Sequence, residues 1–215
     1  MNLYLNIKKS CLLRRYGSNP NFGRFFRDVN LKQKVEETTF VVFDTETTGL
    51  DLRRAELVSI GALRVVNYSF NLSESFHRFV KPKELTRVSV EIHGITPHEL
   101  EKKAESHDRV LEDFMEYVRG SVLVGFNVEF DRKIVEKYSL KVLGLPLLNY
   151  RLDVFRLWKK RGGREGSLKD IAEELGIPVV GAHSALDDAY ITALVFLKLL
   201  KRFRGANLSS LPLML

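Results

Sequence analysis

The stretch FVVFDTETTGL, residues 40–50, ends an apolar run with two carboxylates, Asp44 and Glu46. Side chains alternate faces along a strand, so acids two apart project from the same side. Like charges that close resist ionisation unless a cation compensates them, and hard divalent cations take carboxylate oxygens. The pattern also suits plain strand-end acids, with Thr45, Thr47 and Thr48 as turn residues. Two more segments carry the same pair of readings. In GFNVEFD, Asn127 is expected to cap a helix, placing Asp131 one turn in, either as a complement to the helix dipole or as part of a site. In GAHSALDDAY, His183 stands in a Gly-led loop, and Asp187 and Asp188 fall in the first turn of the last helix, again a position the dipole favours.

The elements that must position these groups can be read from periodicity. TFVVFDT has no polar alternation, which predicts a central strand covered on both faces. ELVSIGALRVVN (56–67) and SFHRFV (75–80) follow as strands, and Lys81-Pro82 closes this meander. Pro97 marks a helix start. A Ser-capped helix spans Ser106 to Gly120, with its apolar stripe at Val110, Leu111, Phe114 and Val118. SVLVGF (121–126) is a short buried strand, and a helix runs from Asn127 to about Leu143. Asp153 and Ser167 cap helices through Lys160 and Leu175, and the last helix runs from about Leu186 to Phe203. Upstream, Leu3, Ile7 and Cys11 recur every four residues and suggest a short helix. A second is expected over Phe25 to Lys34. A meander followed by strands alternating with helices predicts a mixed sheet sandwiched by helices. The expected organisation is a basic helical arm (1–37), one α/β domain (38–205) and a short tail (206–215).

These motifs, in this order, resemble those of a known family. FDTETTG, then Asn127, Phe130 and Asp131, then His183, Ala185 and Asp188 are similar to the three motifs of the DEDDh (DnaQ-like) 3′→5′ exonucleases. That family includes the proofreading epsilon subunit of bacterial DNA polymerase III. The resemblance runs from about Thr38 to Phe203 and extends to SIGALRV, FHRFVKP and IHGIT. His183, five residues before Asp188, selects the DEDDh branch; the tyrosine of the sister branch would stand at Ser184. The resemblance implies an α/β, RNase H-like fold with a mixed five-stranded sheet of order 3-2-1-4-5. It implies that Asp44, Glu46, Asp131 and Asp188 hold two Mg²⁺ or Mn²⁺ ions and that His183 is the general base. An imidazole titrating near neutrality suits that role, and cations flanking the attacking and leaving oxygens suit phosphodiester hydrolysis. Amides near Glu46 to Thr48 are implied to hold a 3′-terminal nucleotide, with Leu50 wedged against the last bases. Thr47, Thr48, His93, Asn127 and Phe130 are expected around the same pocket. Phe126 stands where many relatives have histidine.

The function expected is thus a metal-dependent 3′→5′ exonuclease, a phosphodiester hydrolase releasing nucleoside 5′-monophosphates from a free 3′ end. Single-stranded DNA is the first expected partner, and the chain is expected either beside a DNA polymerase in replication or as a free-standing repair or processing exonuclease. One rival is an RNA-trimming exoribonuclease of RNase T or oligoribonuclease type. Another is an inactive polymerase-binding subunit, against which the complete motif set speaks. The net charge of +7 permits a polyanionic partner. It is concentrated in residues 1–37, where eight basic residues face three acids. That Arg-rich start reads as a docked arm or as a mitochondrial presequence. KKRGGREGS (159–167) offers either a phosphate track or complementation of a helix C-terminus. NLSSLPLML (207–215) resembles peptides that enter a sliding clamp, or else is an amphipathic tail folded back on the core. No apolar run reaches the ~18 residues of a membrane span, so no membrane partner is expected. Cys11, the only cysteine, excludes an internal disulfide and a cysteine-based zinc site and suits a cytoplasmic setting.

Overall fold

The computed structural model describes residues 3–179 and 184–215, without the side chains at positions 3, 4 and 6. Helices α1 (Leu3–Tyr16) and α2 (Phe22–Phe25) precede the strands β1 (Phe40–Thr47), β2 (Leu57–Val66), β3 (Ser69–Phe70) and β4 (Phe76–Val80). Then come α3 (Arg87–His93), α4 (Pro97–Lys103), β5 (Ala104–Glu105), α5 (His107–Tyr117), β6 (Val122–Gly125) and α6 (Glu129–Leu143). The chain continues through β7 (Arg151–Asp153), α7 (Val154–Lys160), α8 (Leu168–Glu174) and α9 (Ala185–Leu200).

Among the described residues one sheet runs β5-β4-β2-β1-β6-β7, with β3 paired to β2. Its members β4-β2-β1-β6-β7 have the expected 3-2-1-4-5 order. The two-residue strands β3 and β5 are additions too short to leave a periodic signal. β1 is antiparallel to β2 and parallel to β6, so the sheet is mixed.

Alternation along β1 divides the core. Phe40 and Val42 enter a cluster with Leu63, Val124 and Leu152 beneath α7, α8 and α9. Val41 and Phe43 enter the opposite cluster with Ile60, Ala62 and Leu123 beneath α5 and α6. Burial on both faces is why β1 reads as an unbroken apolar run. The parity carries past the apolar residues: Asp44 and Glu46 continue the face of Phe40 and Val42, toward α9, and Thr45 continues the face toward α6. Helix starts are held by side-chain caps, at Ser106, Asp153 and Ser167 as the sequence suggests and also at Thr96 and Ser184. Thr96, Ser106, Ser167 and Ser184 each accept a hydrogen bond from an amide of the first turn, and Asp153 accepts two.

Four sequence expectations need correction. The helix expected over Phe25 to Lys34 does not form. Asp28 Oδ1 accepts from the Val29 amide (2.8 Å) and Asn30 Oδ1 from the Lys32 amide (3.0 Å), turn bonds that compete with helical ones. Helix α3 was not expected. Asn127 is not a helix cap: its φ is +56°, and Val128 fills the cap position with no side-chain bond. The clamp-peptide reading of the tail fails because Leu208, Leu211 and Leu215 are buried in the α9-side core. Met214 exchanges backbone hydrogen bonds with Arg151 (2.9 and 2.8 Å), and the Leu208 amide donates to Gln33 (2.9 Å). No helix among the described residues is long and apolar enough to cross a membrane.

Candidate active site

β1 delivers Asp44 and Glu46 to the α9 side, and the first turn of α9 delivers Asp188 to meet them. One carboxylate oxygen from each of the three lies within 4.8 Å of the other two. α9 starts where it does because Ser184 caps it: its hydroxyl accepts from the Asp187 amide (3.2 Å) and donates to Asp187 Oδ2 (2.7 Å). Asp131 reaches the same cleft from α6 on the other side of the sheet. It is 5 % exposed, and its Oδ1 accepts from both the amide (3.0 Å) and the hydroxyl (2.7 Å) of Thr45. The four acids thus converge from one strand and two helices on opposite faces of the sheet. Three of them form the close trio, and Asp131 is tied to Thr45 beside it.

Burial in this cluster works against charge. It pushes the Asp44 carboxyl well above the ordinary range, and the charges of Asp131, Glu46 and Asp188 push it further. Glu46 rises to about 7, first through burial and then through Asp188 and Asp131. Asp131 also rises to about 7 through burial, against the pull of its Thr45 hydrogen bonds. Glu129, two residues before Asp131, is spared: its bonds to Arg151 and Arg132 outweigh its burial and hold it below the usual value.

A cleft of about 430 Å³ opens over the acids. Thr47, Thr48, Leu50, Asn127 and Phe130, all expected near a substrate, line it. Leu50 is 86 % exposed, standing free at the rim. The Thr48 amide is committed to the Glu56 carbonyl (2.9 Å), so it is not available to a nucleotide. His93 lies elsewhere. It is buried, its Nδ1 accepts from the Ile95 amide (3.0 Å), and it lines a neighbouring cavity with His77, Phe79 and Ser184. His183 lies outside the described residues. The cleft also gains residues that the sequence reading missed, Val88 and Ile92 of α3, which are 65 % and 62 % exposed one helical turn apart. Exposed apolar side chains at such spacing facing a cleft are a binding signal. It could be found only once α3 was known to be a helix. KKRGGREGS does not border the cleft. Lys159 pairs with Glu165 and Arg164 with Glu174, while Lys160 and Arg161 line a separate cavity with Arg202 and Phe203.

Fold and site together define a mixed α/β domain with an acidic cleft at the carboxyl end of its central strand. A family model described as exonuclease, of RNase T type, matches residues 41–196, and the chain belongs to that family. Among its relatives is the DNA polymerase III subunit epsilon of Aquifex aeolicus, 33 % identical over 81 % of this chain and 87 % of the relative. The PolC-type DNA polymerase III of Thermotoga petrophila is 35 % identical over 86 % of this chain, which spans only 14 % of that polymerase's length. In fold, the chain resembles E. coli exonuclease I in complex with a dA16 oligonucleotide. The TM-score is 0.67 at 22 % identity, covering 79 % of this chain and 42 % of the other.

Proposed function

We propose that the chain is a divalent-cation-dependent 3′→5′ exonuclease that removes nucleotides singly from single-stranded DNA. The observation that carries this reading is the trio of Asp44, Glu46 and Asp188, whose oxygens converge within 4.8 Å in a cleft where burial resists the ionisation of Asp44 and Glu46. The donor set fits a hard cation: all ligand atoms are carboxylate oxygens, and positive charge relieves the repulsion among them. Asp44, Glu46 and Asp188, with Asp131, would hold the ions, taken to be two Mg²⁺ or Mn²⁺. When bound, such ions activate a water and stabilise charge on the leaving 3′ oxygen.

The chain's own residues do the rest. Thr45 orients Asp131 through two hydrogen bonds. His183 is assigned as proton acceptor because the motif around it resembles that of the DEDDh exonucleases. Leu50, Phe130, Val88 and Ile92 offer apolar surface to the bases, and Asn127 borders them. Single-stranded DNA is favoured because the relatives are named for DNA polymerases and the structural neighbour holds a DNA oligonucleotide. A polymerase partner follows from the same names.

The test uses one oligonucleotide labelled at either end, with an RNA strand of equal sequence. With Mg²⁺ or Mn²⁺ the 5′-labelled DNA shortens one nucleotide at a time, and the 3′ label leaves as mononucleotide. Internal cuts, or faster loss of the RNA, contradict the reading. If a polymerase is the partner, adding it raises the removal of mismatched over matched 3′ ends; an unchanged ratio counts against that part.

A further inference from the structure

Gly61 of β2 is the direct cross-strand partner of Asp44. Cross-strand partners share a face, so Gly61 looks toward α9 as Asp44 does. The first turn of α9 lies on it. A Cβ at Gly61 would stand 2.2 Å from the Leu186 nitrogen, 2.3 Å from the Ala185 carbonyl carbon and 2.5 Å from the Ala185 oxygen. Every atom it meets is backbone, so no side-chain rotation relieves the overlap. Ala185 is fully buried, and the Asp188 amide is bonded to Ser184 (3.0 Å) within that same turn. A side chain at position 61 therefore moves Asp188 along with the helix.

We propose that Gly61 is a positioning residue for the acidic site: its missing side chain lets α9 rest directly on β2, which sets Asp188 against Asp44 and Glu46. The magnitude decides its importance. Contacts under 3.0 Å are essentially never seen for a Cβ, so from 2.2 Å the helix start must retreat by at least about 0.8 Å. Metal–ligand distances hold to within about 0.2 Å, several-fold less than that retreat. Gly61→Ala thus opens the trio on one side while leaving Asp44 and Glu46 in their strand. This rests on the cluster being a cation site.

The test compares the full chain with Gly61→Ala and with Gly163→Ala. The latter is an overpacking control outside the lining of the acidic cleft, where a Cβ would meet the Trp158 ring at 2.0 Å. Mn²⁺ binding is read by electron paramagnetic resonance and by the rise in thermal midpoint on adding Mn²⁺ to EDTA-treated protein. Gly61→Ala is expected to weaken Mn²⁺ binding at least tenfold. Its rate on a single-stranded oligonucleotide should recover in part as Mn²⁺ is raised, with KM changed less than threefold. Gly163→Ala is expected to keep wild-type Mn²⁺ binding. Unchanged Mn²⁺ binding in a folded Gly61→Ala protein would overturn the proposal. So would failure of that variant to fold, which would assign Gly61 to the stability of the whole sheet. Failure of the wild type to bind Mn²⁺ overturns instead the cation reading beneath it.

Discussion

At the scale of single residues, the site is a problem of charge. Glu46 rises from 4.5 to about 7 on folding, so between those values the folded chain holds a proton that the unfolded chain has released. Stability from this group is present below the unfolded value and is lost as pH rises through the folded one. His77, His93 and His107, whose values burial lowers, act with the opposite sign. The prediction therefore concerns a difference. In EDTA, the thermal midpoint of the wild type relative to Glu46→Gln falls between pH 5 and 7.5, and saturating Mn²⁺ reverses that order. A difference flat across this range contradicts the electrostatic account. Period two on a strand showed that Asp44 and Glu46 share a face, but first-turn positions left Asp131 and Asp188 open to a plain helix-dipole role, and only the motif resemblance joined the four into one site. That Asp131 would be tied to Thr45 was not legible, since the bond depends on two elements meeting across the sheet.

At the scale of elements, α3 was hidden and the tail was ambiguous, each for a physical reason. RVSVEIH alternates polar and β-branched residues with a period of two, the signature of a strand. The helix comes from its ends: the Thr86 hydroxyl accepts from Ser89, and Gly94 closes it at φ +71°. Val88 and Ile92 are exposed, so replacing both by alanine should leave stability unchanged. Each buried apolar side chain contributes about 1.5–3 kcal/mol, so the double variant should raise KM for a single-stranded oligonucleotide on the order of tenfold or more. Unaltered KM would remove α3 from the substrate site. The tail has the opposite character. Leu208 is fully buried, and Leu208→Ala is expected to cost about 2–5 kcal/mol, lowering the thermal midpoint by several degrees or more. A tail serving only as a partner peptide would leave the midpoint where it is.

At the scale of the molecule, the sheet divides two cores and gathers acids from both sides at one end. α9 brings Asp188 from one face and α6 brings Asp131 from the other, with the end of β1 between them. The longer strands and most of the helices were legible because strand burial and helix caps are local signals, whereas the order of the strands came only with the family resemblance. The depth of the cleft and the seating of α9 on Gly61 were not legible, because they depend on distances between elements far apart in sequence. The acids gathered by this architecture are proposed to make a cation-dependent 3′→5′ exonuclease. The most direct measurement of that activity is the Mn²⁺ dependence of shortening of a 5′-labelled single-stranded oligonucleotide by the wild type and by Asp188→Ala. Loss of an outer partner of a metal ligand costs about 10–100-fold, so loss of Asp188 itself should cost on the order of a hundredfold or more, and EDTA should stop the wild type. Shortening that persists in EDTA, or an Asp188→Ala rate equal to wild type, would contradict the account.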